Sequence, residues 1–451
     1  MKERTAILEE AIVKLVEAKK YTSLRDFLAT LNPADIASAL GAVADQALPL
    51  VFRLLPKELA AETFVEMEPE QQETLIKGFS DLELKAVVEE LYVDDAVDLV
   101  EEMPANVVSR ILAQADPDTR KMINEILKYP EDSAGSVMTT EFVELRANMT
   151  AAQAIQHIRK VAVDKETINT CYVTDGTHHL QGVLSIGALI LADRDTLCQE
   201  IMNVNVISVQ TLEDQEAVAR MLSKYNFGAL PVVDGDGRLV GIVTVDDAMD
   251  IMEAEATEDI EKMAAITPSD RPYLSTGPIT IWKRRIPWLL LLMISATFTG
   301  LIITKFEDAL ASCAVLIAYI PMLMDTGGNS GSQASVTIIR GLSLQELQFR
   351  DLLRVIWKEF RVAILCGVTL AACNFVKLLL LDRVGMAVAA TVCVTLMLTI
   401  VVAKLVGCTL PMLAKKLGFD PAVMASPFIT TIVDVLSLLL YFQLSSTILG
   451  L

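Results

Sequence analysis

The sequence predicts a multidomain membrane protein in which an acidic helical region and an α/β repeat precede a bundle of apolar helices. Two observations carry this prediction. The formal charge of −20 is unevenly divided, since the first 270 residues carry 23 Lys+Arg against 49 Asp+Glu and the rest carry 15 against 9. From about residue 265 onward, long apolar stretches replace the polar pattern. A large acidic region joined to apolar spans favours cations as ligands and argues against nucleic acid as a partner.

Five apolar stretches, at residues 286–303, 309–324, 362–381, 386–406 and 422–449, define the predicted membrane domain. Each approaches or exceeds the roughly 20 residues that a membrane-spanning helix needs, and the second continues through a glycine-rich break to residue 339. Basic residues precede the first stretch, separate the second from the third, and separate the fourth from the fifth. Because basic loops stay in the cytosol, we expect a cytoplasmic N-terminus and a C-terminus outside. Residues 1–20 fit this expectation, since they predict a charged amphipathic helix rather than a secretory signal.

Polar residues inside the apolar stretches are the first functional candidates. Asp434 lies alone in the last stretch, and an ionised carboxylate at bilayer depth is costly, which predicts that it belongs to an ion path. Asp325, Asn329 and Gln333 recur at every fourth residue and are predicted to line the same path. The glycines between them favour either a helix break with free carbonyl groups or close helix packing. Lys404, late in the fourth stretch, is expected to snorkel toward the interface.

Residues 1–132 have helical periodicity that proline and aspartate interrupt at short intervals. Pro33, Pro56, Pro69 and Pro117 each stand near an acidic residue, a pattern typical of helix starts. The recurrence predicts short stacked helices in an all-α superhelical domain. On pattern alone, an ordinary helical bundle fits as well.

Residues 133–196 and 197–256 form an internal repeat, in which residues 172–185 parallel residues 231–244. Each copy predicts strand, helix, strand, turn, strand and helix, and residues 234–237 (Asp-Gly-Asp-Gly) mark a hairpin. The repeat looks like a tandem pair of CBS domains, regulatory modules that often bind adenine nucleotides. The second copy has their nucleotide pattern at Thr244 and Asp247, whereas the first has Ala188 in place of the acid. One nucleotide such as ATP is therefore expected per pair.

An acidic linker helix is predicted at residues 247–270. Asp247, Asp250, Glu258 and Glu261 fall on one helical face, and like charges at such spacing destabilise a helix unless they are neutralised. The strip is either a solvated helix face or a surface that binds divalent cations against a second acidic surface, for which residues 91–98 are the candidate. Carboxylate ligands suit Mg²⁺, Ca²⁺ or Mn²⁺, and the scattered cysteines and three histidines argue against zinc.

The order of acidic helical domain, paired CBS domains, acidic linker and five spans resembles the MgtE family of magnesium channels over essentially the whole chain. Three motifs carry the resemblance: Gly-Gly-Asn-Ser-Gly-Ser-Gln at 327–333, Glu-Ala-Glu-Ala-Thr-Glu-Asp-Ile at 253–260, and Thr-Ile-Val-Asp at 431–434. The resemblance implies a homodimer in the lipid of the inner membrane, with the pore on its two-fold axis within residues 271–451. It also implies a magnesium-selective channel that cytosolic Mg²⁺ closes.

Individual residues follow from the same resemblance. The pore aspartate of the family matches Asp434, and the backbone carbonyl one turn earlier belongs to Thr430. Its cytosolic magnesium-sensor acids match Glu62, Asp94, Asp98, Asp214, Glu216, Asp247, Asp250, Glu255, Glu258 and Asp259. Two positions depart from the family: Asn226 stands where a sensor carboxylate is expected, and Ser426 replaces an asparagine before Pro427.

The sequence also bears on two other functional classes, an intramembrane zinc protease and a secondary transporter. An intramembrane zinc protease needs an HExxH-type site within a span, and residues 271–451 contain no histidine, so we expect no enzyme. A secondary divalent-cation transporter driven by protons or sodium remains the alternative. An odd number of spans without a visible duplication weakens it, because such folds are usually built from repeats.

Overall fold

The computed structural model describes residues 2–269, 273–274, 276–306, 313–424 and 426–450. The chain divides into two compact units, Met1–Met252 and Glu253–Leu451. The division falls within one continuous helix, Val245–Met263.

The first part of unit one is entirely helical within the described residues. Pro33, Pro69 and Pro117 stand in the first turn of a helix, and Ser80 forms a capping box with Glu83, which explains why short helices start at these points. The helices are α1 Lys2–Glu17, α2 Tyr21–Leu28, α3 Pro33–Leu40, α4 Leu48–Phe52, α5 Lys57–Val65, α6 Pro69–Gly78, α7 Asp81–Val88, α8 Val93–Glu102, α9 Ala105–Gln114 and α10 Pro117–Ile126.

Packing among these helices follows a regular order. Helix α1 packs on α3, α3 on α5, α5 on α7 and α7 on α9, so alternate helices stack on one another. The buried side chains along the stack form one continuous apolar core. This order is that of a superhelix, and the predicted superhelical domain is confirmed over the bundle alternative.

The repeat folds as two three-stranded sheets, each with one parallel and one antiparallel pair of strands. Both copies have a register irregularity at the matching place, at Val173/Thr174 and at Val232/Val233. The first copy contains β1 Val143–Arg146, α11 Ala151–Val161, β2 Thr170–Thr174, β3 Leu180–Ser185, α12 Ile186–Leu191 and, at the junction, α13 Cys198–Ile201. The second contains β4 Val209–Gln210, α14 Gln215–Tyr225, β5 Ala229–Val233, β6 Leu239–Thr244 and the start of α15 Val245–Met263.

Two glycines explain how the copies interlock. A Cβ atom at Gly182 would lie 2.6 Å from Sδ of Met202, and one at Gly241 would lie 2.6 Å from Sδ of Met138. Each methionine that opens a copy therefore packs on the central glycine of the other copy. Because glycine has no side chain, each of the two positions leaves room for the methionine of the other copy. The two copies therefore pack on each other through equivalent, reciprocal contacts.

Unit two contains long apolar helices. These are α16 Pro278–Lys305, α17 Ile320–Ser343, α18 Leu352–Leu380, α19 Met386–Lys416 and α20 Ser426–Leu449. Among the described residues, four segments are long and apolar enough to cross a membrane: Pro278–Lys305, Phe349–Leu380, Met386–Lys416 and Pro421–Leu449. Helix α17 corresponds to the second predicted span, of which residues 309–312 lie outside the described part. The number of five spans therefore stays a prediction.

The glycine-rich stretch is helical, so the predicted break at this place is wrong. Gly327, Gly328 and Gly331 lie inside α17 and are buried. A Cβ atom at Gly328 would lie 2.9 Å from Cγ2 of Thr430, and one at Gly331 would lie 2.8 Å from Cγ2 of Ile429. The small residues serve close packing of α17 against α20.

Candidate functional sites

Carboxylates from two elements of unit one meet in a cavity of about 350 Å³. Helix α8 contributes Asp95 and Asp98, and the first turns of α15 contribute Asp247 and Asp250. Glu66, Glu68 and Glu102 add further acidic groups to its lining. We call this place the acidic cavity. It brings Asp98 of the first predicted acidic surface together with Asp247 and Asp250 of the second. Asp94 does not line the cavity, but its carboxylate lies close enough to that of Asp247 for the two to repel each other.

Burial and mutual repulsion disfavour the ionised form of the carboxyl groups in and near the acidic cavity. Burial, followed by the charges of Asp247 and Glu141, raises the pKa of Asp95 to about 7. Burial, and then the charge of Asp95, raises the pKa of Asp98 to about 7. The pKa of Asp94, which is only 9% exposed, is raised well above its ordinary value by burial and then by Asp95 and Asp247. These groups repel one another when ionised, and a bound cation would relieve that repulsion.

Two acidic residues near this cluster come from the repeat and were missed by the sequence analysis. Glu141 accepts hydrogen bonds from the Val93 amide (3.4 Å) and from the Thr139 hydroxyl (2.6 Å). Burial, then Asp247 and Asp95, raises the pKa of Glu166 to about 7. No local pattern distinguishes these two glutamates, because only the folding of the first copy brings them near α8. Asp95 could have been found, since it adjoins Asp94.

The described side chains are not arranged to coordinate a single metal ion directly. Among the described residues, no group of three or more His, Cys, Asp or Glu side chains is arranged to hold one metal ion. Magnesium gives up its waters reluctantly and usually keeps several of them in a protein site. The acidic cavity therefore fits a hydrated dication that is held through its waters better than a dehydrated one.

The remaining predicted sensor acids lie elsewhere. Glu62 is exposed on α5 and does not line the acidic cavity. Asp214 caps α14 by accepting from the Glu216 and Ala217 amides (2.9 and 3.4 Å), and Glu216 pairs with Arg220 at 3.0 Å. Glu255 is half-exposed in unit two. The structure thus does not bring these four residues into the cluster.

The last turns of α15 contact the ends of the apolar helices within unit two. Lys262 lies 2.7 Å from Asp420, in the connection between α19 and α20, and 2.7 Å from Glu258. Asp259 accepts a hydrogen bond from the Ser343 hydroxyl at the end of α17 (3.3 Å). Burial, and then the charge of Asp420, raises the pKa of Asp259. We call these contacts the linker contacts.

The apolar helices carry a polar face on α17 and, on α20, the acid Asp434. Asp325, Asn329 and Gln333 are all exposed on the face of α17 opposite its buried glycines. Asp434 is half-buried on α20, close enough to Asp325 for the two carboxylates to repel each other. Thr430, one turn before Asp434, donates its hydroxyl hydrogen to the carbonyl oxygen of Pro427 at 2.9 Å.

Lys404 corrects another expectation. It is 5% exposed and lies 3.9 Å from Glu359 of α18, so it does not snorkel. Its side chain is buried, and the acid on the neighbouring helix compensates its charge.

The predicted nucleotide residues Thr244 and Asp247 do not line the cavity that lies between the two copies of the repeat. Thr244 donates through its hydroxyl and its amide to Asp247, which belongs to the acidic cavity. A second cavity, of about 340 Å³, is lined instead by Ser185 and Ala188 of the first copy and by Phe227 of the second. We call it the repeat cavity.

Comparison with known proteins agrees along the whole chain. Family models match at residues 31–132 (MgtE intracellular N domain), 198–254 (CBS domain) and 320–444 (divalent cation transporter). The chain is 39% identical to the magnesium transporter MgtE of Thermus thermophilus, with 100% of this chain and 99% of the relative covered. It is 33% identical to the magnesium transporter MgtE of Bacillus subtilis, with 97% of each covered.

Solved structures resemble the N-terminal half. The cytosolic domain of the Mg²⁺ channel MgtE in complex with ATP matches with a TM-score of 0.52 and 38% identity, covering 54% of this chain and 99% of that one. The soluble part of a magnesium transporter matches with a TM-score of 0.52 and 31% identity, covering 56% of this chain and 99% of that one.

Proposed function

Because the chain belongs to the MgtE family of magnesium transporters, we propose that it is a magnesium-selective channel for Mg²⁺ uptake that cytosolic magnesium closes, and that it is not an enzyme. It works as a homodimer in the inner membrane, with a cytoplasmic N-terminus, a C-terminus outside and five spans within residues 271–451. The basic residues before the first apolar helix, between the second and third apolar stretches, and between the fourth and fifth support this orientation.

The proposed pore uses Asp434 as its selectivity residue. Two Asp434 carboxylates that face each other across the dimer axis hold a hydrated magnesium ion through its waters, together with the backbone carbonyl group of Thr430. Asp325, Asn329 and Gln333 line the same path. The exposed polar face of α17 supports their role, because polar groups at bilayer depth need a polar neighbour or a water-filled path.

Helix α15 is the observation that carries the gating proposal. It is continuous from Val245 to Met263, with Asp247 and Asp250 near its start and Asp259 and Lys262 near its end. The start lies in the acidic cavity and the end makes the linker contacts with the apolar helices. A continuous helix transmits a change at one end to the other. A cation that alters the acidic cavity therefore acts on the helix that touches the apolar bundle.

The proposed gate follows from these charges. At low cytosolic magnesium the ionised carboxylates around α8 and α15 repel one another, and the pore opens. At high magnesium, hydrated ions bridge the two helices and favour the state in which α15 holds its linker contacts. Glu62, Asp214, Glu216, Glu255 and Glu258 add weaker magnesium-binding positions along the acidic surface. Magnesium shifts a population between two states because it binds the closed one more tightly.

The repeat is proposed to bind a nucleotide-class ligand that adjusts this gate. A homologous cytosolic domain has been solved with ATP, and the CBS model matches this chain. Thr244 and Asp247 were the candidates from sequence. The repeat cavity is the better place, because Asp247 faces a cluster of acids that would repel phosphate groups.

Magnesium flux through reconstituted protein tests the pore. Replacement of Asp434 by asparagine keeps the side-chain size and removes the charge, so flux should fall at least roughly tenfold if the ion is held electrostatically. Glu346→Gln, in an exposed position between α17 and α18, is the matched control and should keep its flux. Near-normal flux in Asp434→Asn removes this residue from the pore, and flux that vanishes when the proton and sodium gradients are collapsed points to a coupled transporter instead.

A further inference from the structure

A cavity of about 400 Å³ lies where two of the apolar segments end. Phe349 is the first residue of the segment Phe349–Leu380, and Lys415 and Lys416 are the last two residues of the segment Met386–Lys416. All three residues line the cavity. Because the ends of membrane-spanning helices lie at the boundary between hydrocarbon and water, we call this place the interface cavity.

The charged residues that line the interface cavity are both lysines. The ammonium group of Lys415 donates a hydrogen bond to the carbonyl oxygen of Leu342, in the last turn of α17, at 2.7 Å. The ammonium group of Lys416 lies 4.1 Å from the centre of the Phe349 ring, so an aromatic face holds it beside the cavity. Two cationic groups are therefore fixed side by side at one wall, and such a pair suits a phosphate group.

The acids near the interface cavity do not cancel this charge. Glu346 and Asp351 stand in the connection between α17 and α18, and neither of them lines the cavity. Asp351 accepts a hydrogen bond from the Gln348 amide at 3.2 Å and lies 3.5 Å from Arg354 of α18. The lining thus carries two positive charges and no negative one, in a chain whose total formal charge is −20.

The rest of the lining is divided between apolar side chains and amide groups. Leu347 and Met412 supply apolar surface, and Gln345 and Gln348 supply amide groups that donate hydrogen bonds to oxygen atoms. A free phosphate ion uses only the polar part of such a wall. A phospholipid uses both parts, because its phosphate group binds to cationic and amide groups while its first methylene groups bury apolar surface.

Exposed apolar side chains beside the interface cavity favour a ligand from the lipid. Leu344, which precedes Gln345, is 49% exposed, and Leu417, which follows Lys416, is 71% exposed. Large apolar side chains next to lysines are unfavourable in water and favourable at a membrane interface, where lysine places its stem in the apolar layer and its charge in the headgroup layer. This combination indicates a ligand with apolar chains rather than a soluble anion.

We propose that the interface cavity binds the headgroup of an anionic phospholipid. The ammonium groups of Lys415 and Lys416 hold the phosphate group, Gln345 and Gln348 donate hydrogen bonds to phosphate or glycerol oxygen atoms, and Leu347 packs on the first methylene groups. Basic pockets between membrane helices recognise anionic headgroups by this chemistry. A zwitterionic lipid has the same phosphate group but adds a positive charge that the two lysines repel. The proposal depends neither on magnesium flux nor on the gate.

Native mass spectrometry of the full-length protein, delipidated in detergent, tests the ligand class. Phosphatidylglycerol and phosphatidylcholine with the same acyl chains are titrated separately, and glycerol 3-phosphate is titrated as a soluble source of the same phosphate chemistry. Phosphatidylglycerol should bind at least roughly tenfold more tightly than phosphatidylcholine, because two lysines favour a headgroup with net negative charge. Glycerol 3-phosphate should not bind at the same concentrations, since it has no chains to bury on the apolar wall. Equal affinity for the two lipids, or binding of glycerol 3-phosphate as tight as that of phosphatidylglycerol, overturns the proposal.

A set of lysine variants tests whether the lipid binds in the interface cavity. Lys416→Gln removes one charge at the end of α19 and should lower the affinity for phosphatidylglycerol roughly fivefold, with no change for phosphatidylcholine. Lys416→Arg keeps the charge and should keep the affinity. Lys358→Gln removes one charge at an exposed position of α18 outside the lining, and it is the matched control that should also keep the affinity.

Gln348→Glu provides a second variant that is independent of the lysines. It keeps a side-chain oxygen for the capping contact before α18 and adds a negative charge to the lining, so the affinity for phosphatidylglycerol should fall at least roughly fivefold. Melting temperatures in lipid-free detergent equal to that of the parent show that each variant is folded. Parent-like affinity in both Lys416→Gln and Gln348→Glu overturns the proposal. An equal loss in Lys358→Gln and Lys416→Gln assigns the preference to the general charge of the protein surface and overturns the interface cavity as the site.

Discussion

Lys404 and Glu359 form an ion pair inside the packed helices of unit two, with side chains 6% and 14% exposed. Because removal of one partner leaves a buried charge without compensation, Glu359→Gln should destabilise the protein by about 3–5 kcal/mol. Thermal unfolding in detergent measures this loss. Lys377 and Asp382, 2.9 Å apart but 48% and 28% exposed, provide the control, since Asp382→Asn should cost only about 0–1 kcal/mol. Equal costs for the two variants would contradict the buried character of the Lys404 pair.

Single residues show where sequence reasoning ends. Lys404 stands late in an apolar stretch, where a lysine usually extends toward the membrane interface. The sequence alone does not show that Glu359 lies beside it on a neighbouring helix. Asn226 departs from the family's acid, and the structure gives a physical reason for asparagine. It caps α14 in the left-handed conformation (φ 52°, ψ 44°), which asparagine tolerates well among side-chain-bearing residues. The side chain of Ser426 lies outside the described residues, so that departure stays open.

At the scale of elements, glycines set how closely two helices approach. A Cβ atom at Gly407 of α19 would clash with the carbonyl oxygen of Gly331 of α17, so the backbone would have to move to accept it. Gly407→Ala should therefore lower stability by about 1–3 kcal/mol and reduce flux, since α17 is displaced. Gly300→Ala in α16 meets nothing within 4 Å and should be neutral or about 1 kcal/mol stabilising. Melting in detergent and flux in vesicles give both readouts.

The prediction of helices and strands succeeded where particular residues mark the helix ends and where a segment of the sequence is repeated. Proline and capping residues marked the short helices, and the repeat revealed both sheets. The prediction for the glycine-rich stretch failed for a definite reason. Glycines in a helix interior permit both a helix break and a close helix contact, and the sequence does not show which residues lie opposite them in the fold. Here Thr430 and Ile429 of α20 fill the space that side chains would occupy.

The contact between α8 and α15 predicts a pH dependence. In the metal-free protein the pKa values of Asp95 and Asp98 are raised to about 7, so the folded state binds more protons than the unfolded state between about pH 4 and 7. Stability should therefore fall as pH rises through this window, and the loss should be complete above it. On the proposal that magnesium binds these carboxylates, it competes with protons there, so its stabilising effect should be larger at pH 8 than at pH 6.

Melting temperatures of the full-length protein with EDTA and with magnesium, across this pH range, measure the effect. Asp95→Asn with Asp98→Asn should flatten both the pH dependence and the magnesium shift. Asp45→Asn, an exposed acid outside the acidic cavity, should leave both unchanged. A magnesium shift that is the same at pH 6 and pH 8 in the parent would show that protons and magnesium do not compete at these carboxylates.

At the scale of the whole molecule, the proposed function depends on the balance between an open and a closed state of the channel. Composition alone predicted the separation of an acidic part from an apolar part, and the repeat and linker motifs predicted the order of domains. The acidic cavity was predicted only in part. Its helices were visible as acidic stretches, but Glu141 and Glu166 come close to its acids only through the fold of a different segment. The linker contacts were not predicted, because Asp420 and Ser343 lie far along the chain from α15.

Removal of the linker charges should make the gate leak. Five acids are replaced by alanine: Asp247, Asp250, Glu255, Glu258 and Asp259. The change removes the repulsion that opens the gate and also the positions through which magnesium closes it, so the sign needs an argument. If magnesium binds the open and the closed state equally tightly, it does not shift the populations of the two states. The closed state then retains the Lys262–Asp420 pair but loses the Asp259–Ser343 bond, while the remaining acids of α8 and Glu166 still repel one another without metal bridges.

We therefore expect the residual equilibrium to lie toward the open state. Open probability, recorded in bilayers across a cytosolic magnesium titration, should stay high at concentrations that silence the parent, and the response should flatten. The control carries the same change in net charge at five exposed acids outside both contact regions, namely Asp45, Glu58, Glu70, Asp118 and Asp193 replaced by alanine. It separates the specific contacts from the general loss of negative charge, which acts on conduction through the field of the whole protein. A parent-like inhibition curve in the linker variant would locate the magnesium sensor elsewhere in the chain, and a leak in the control as well would assign gating to net charge rather than to α15.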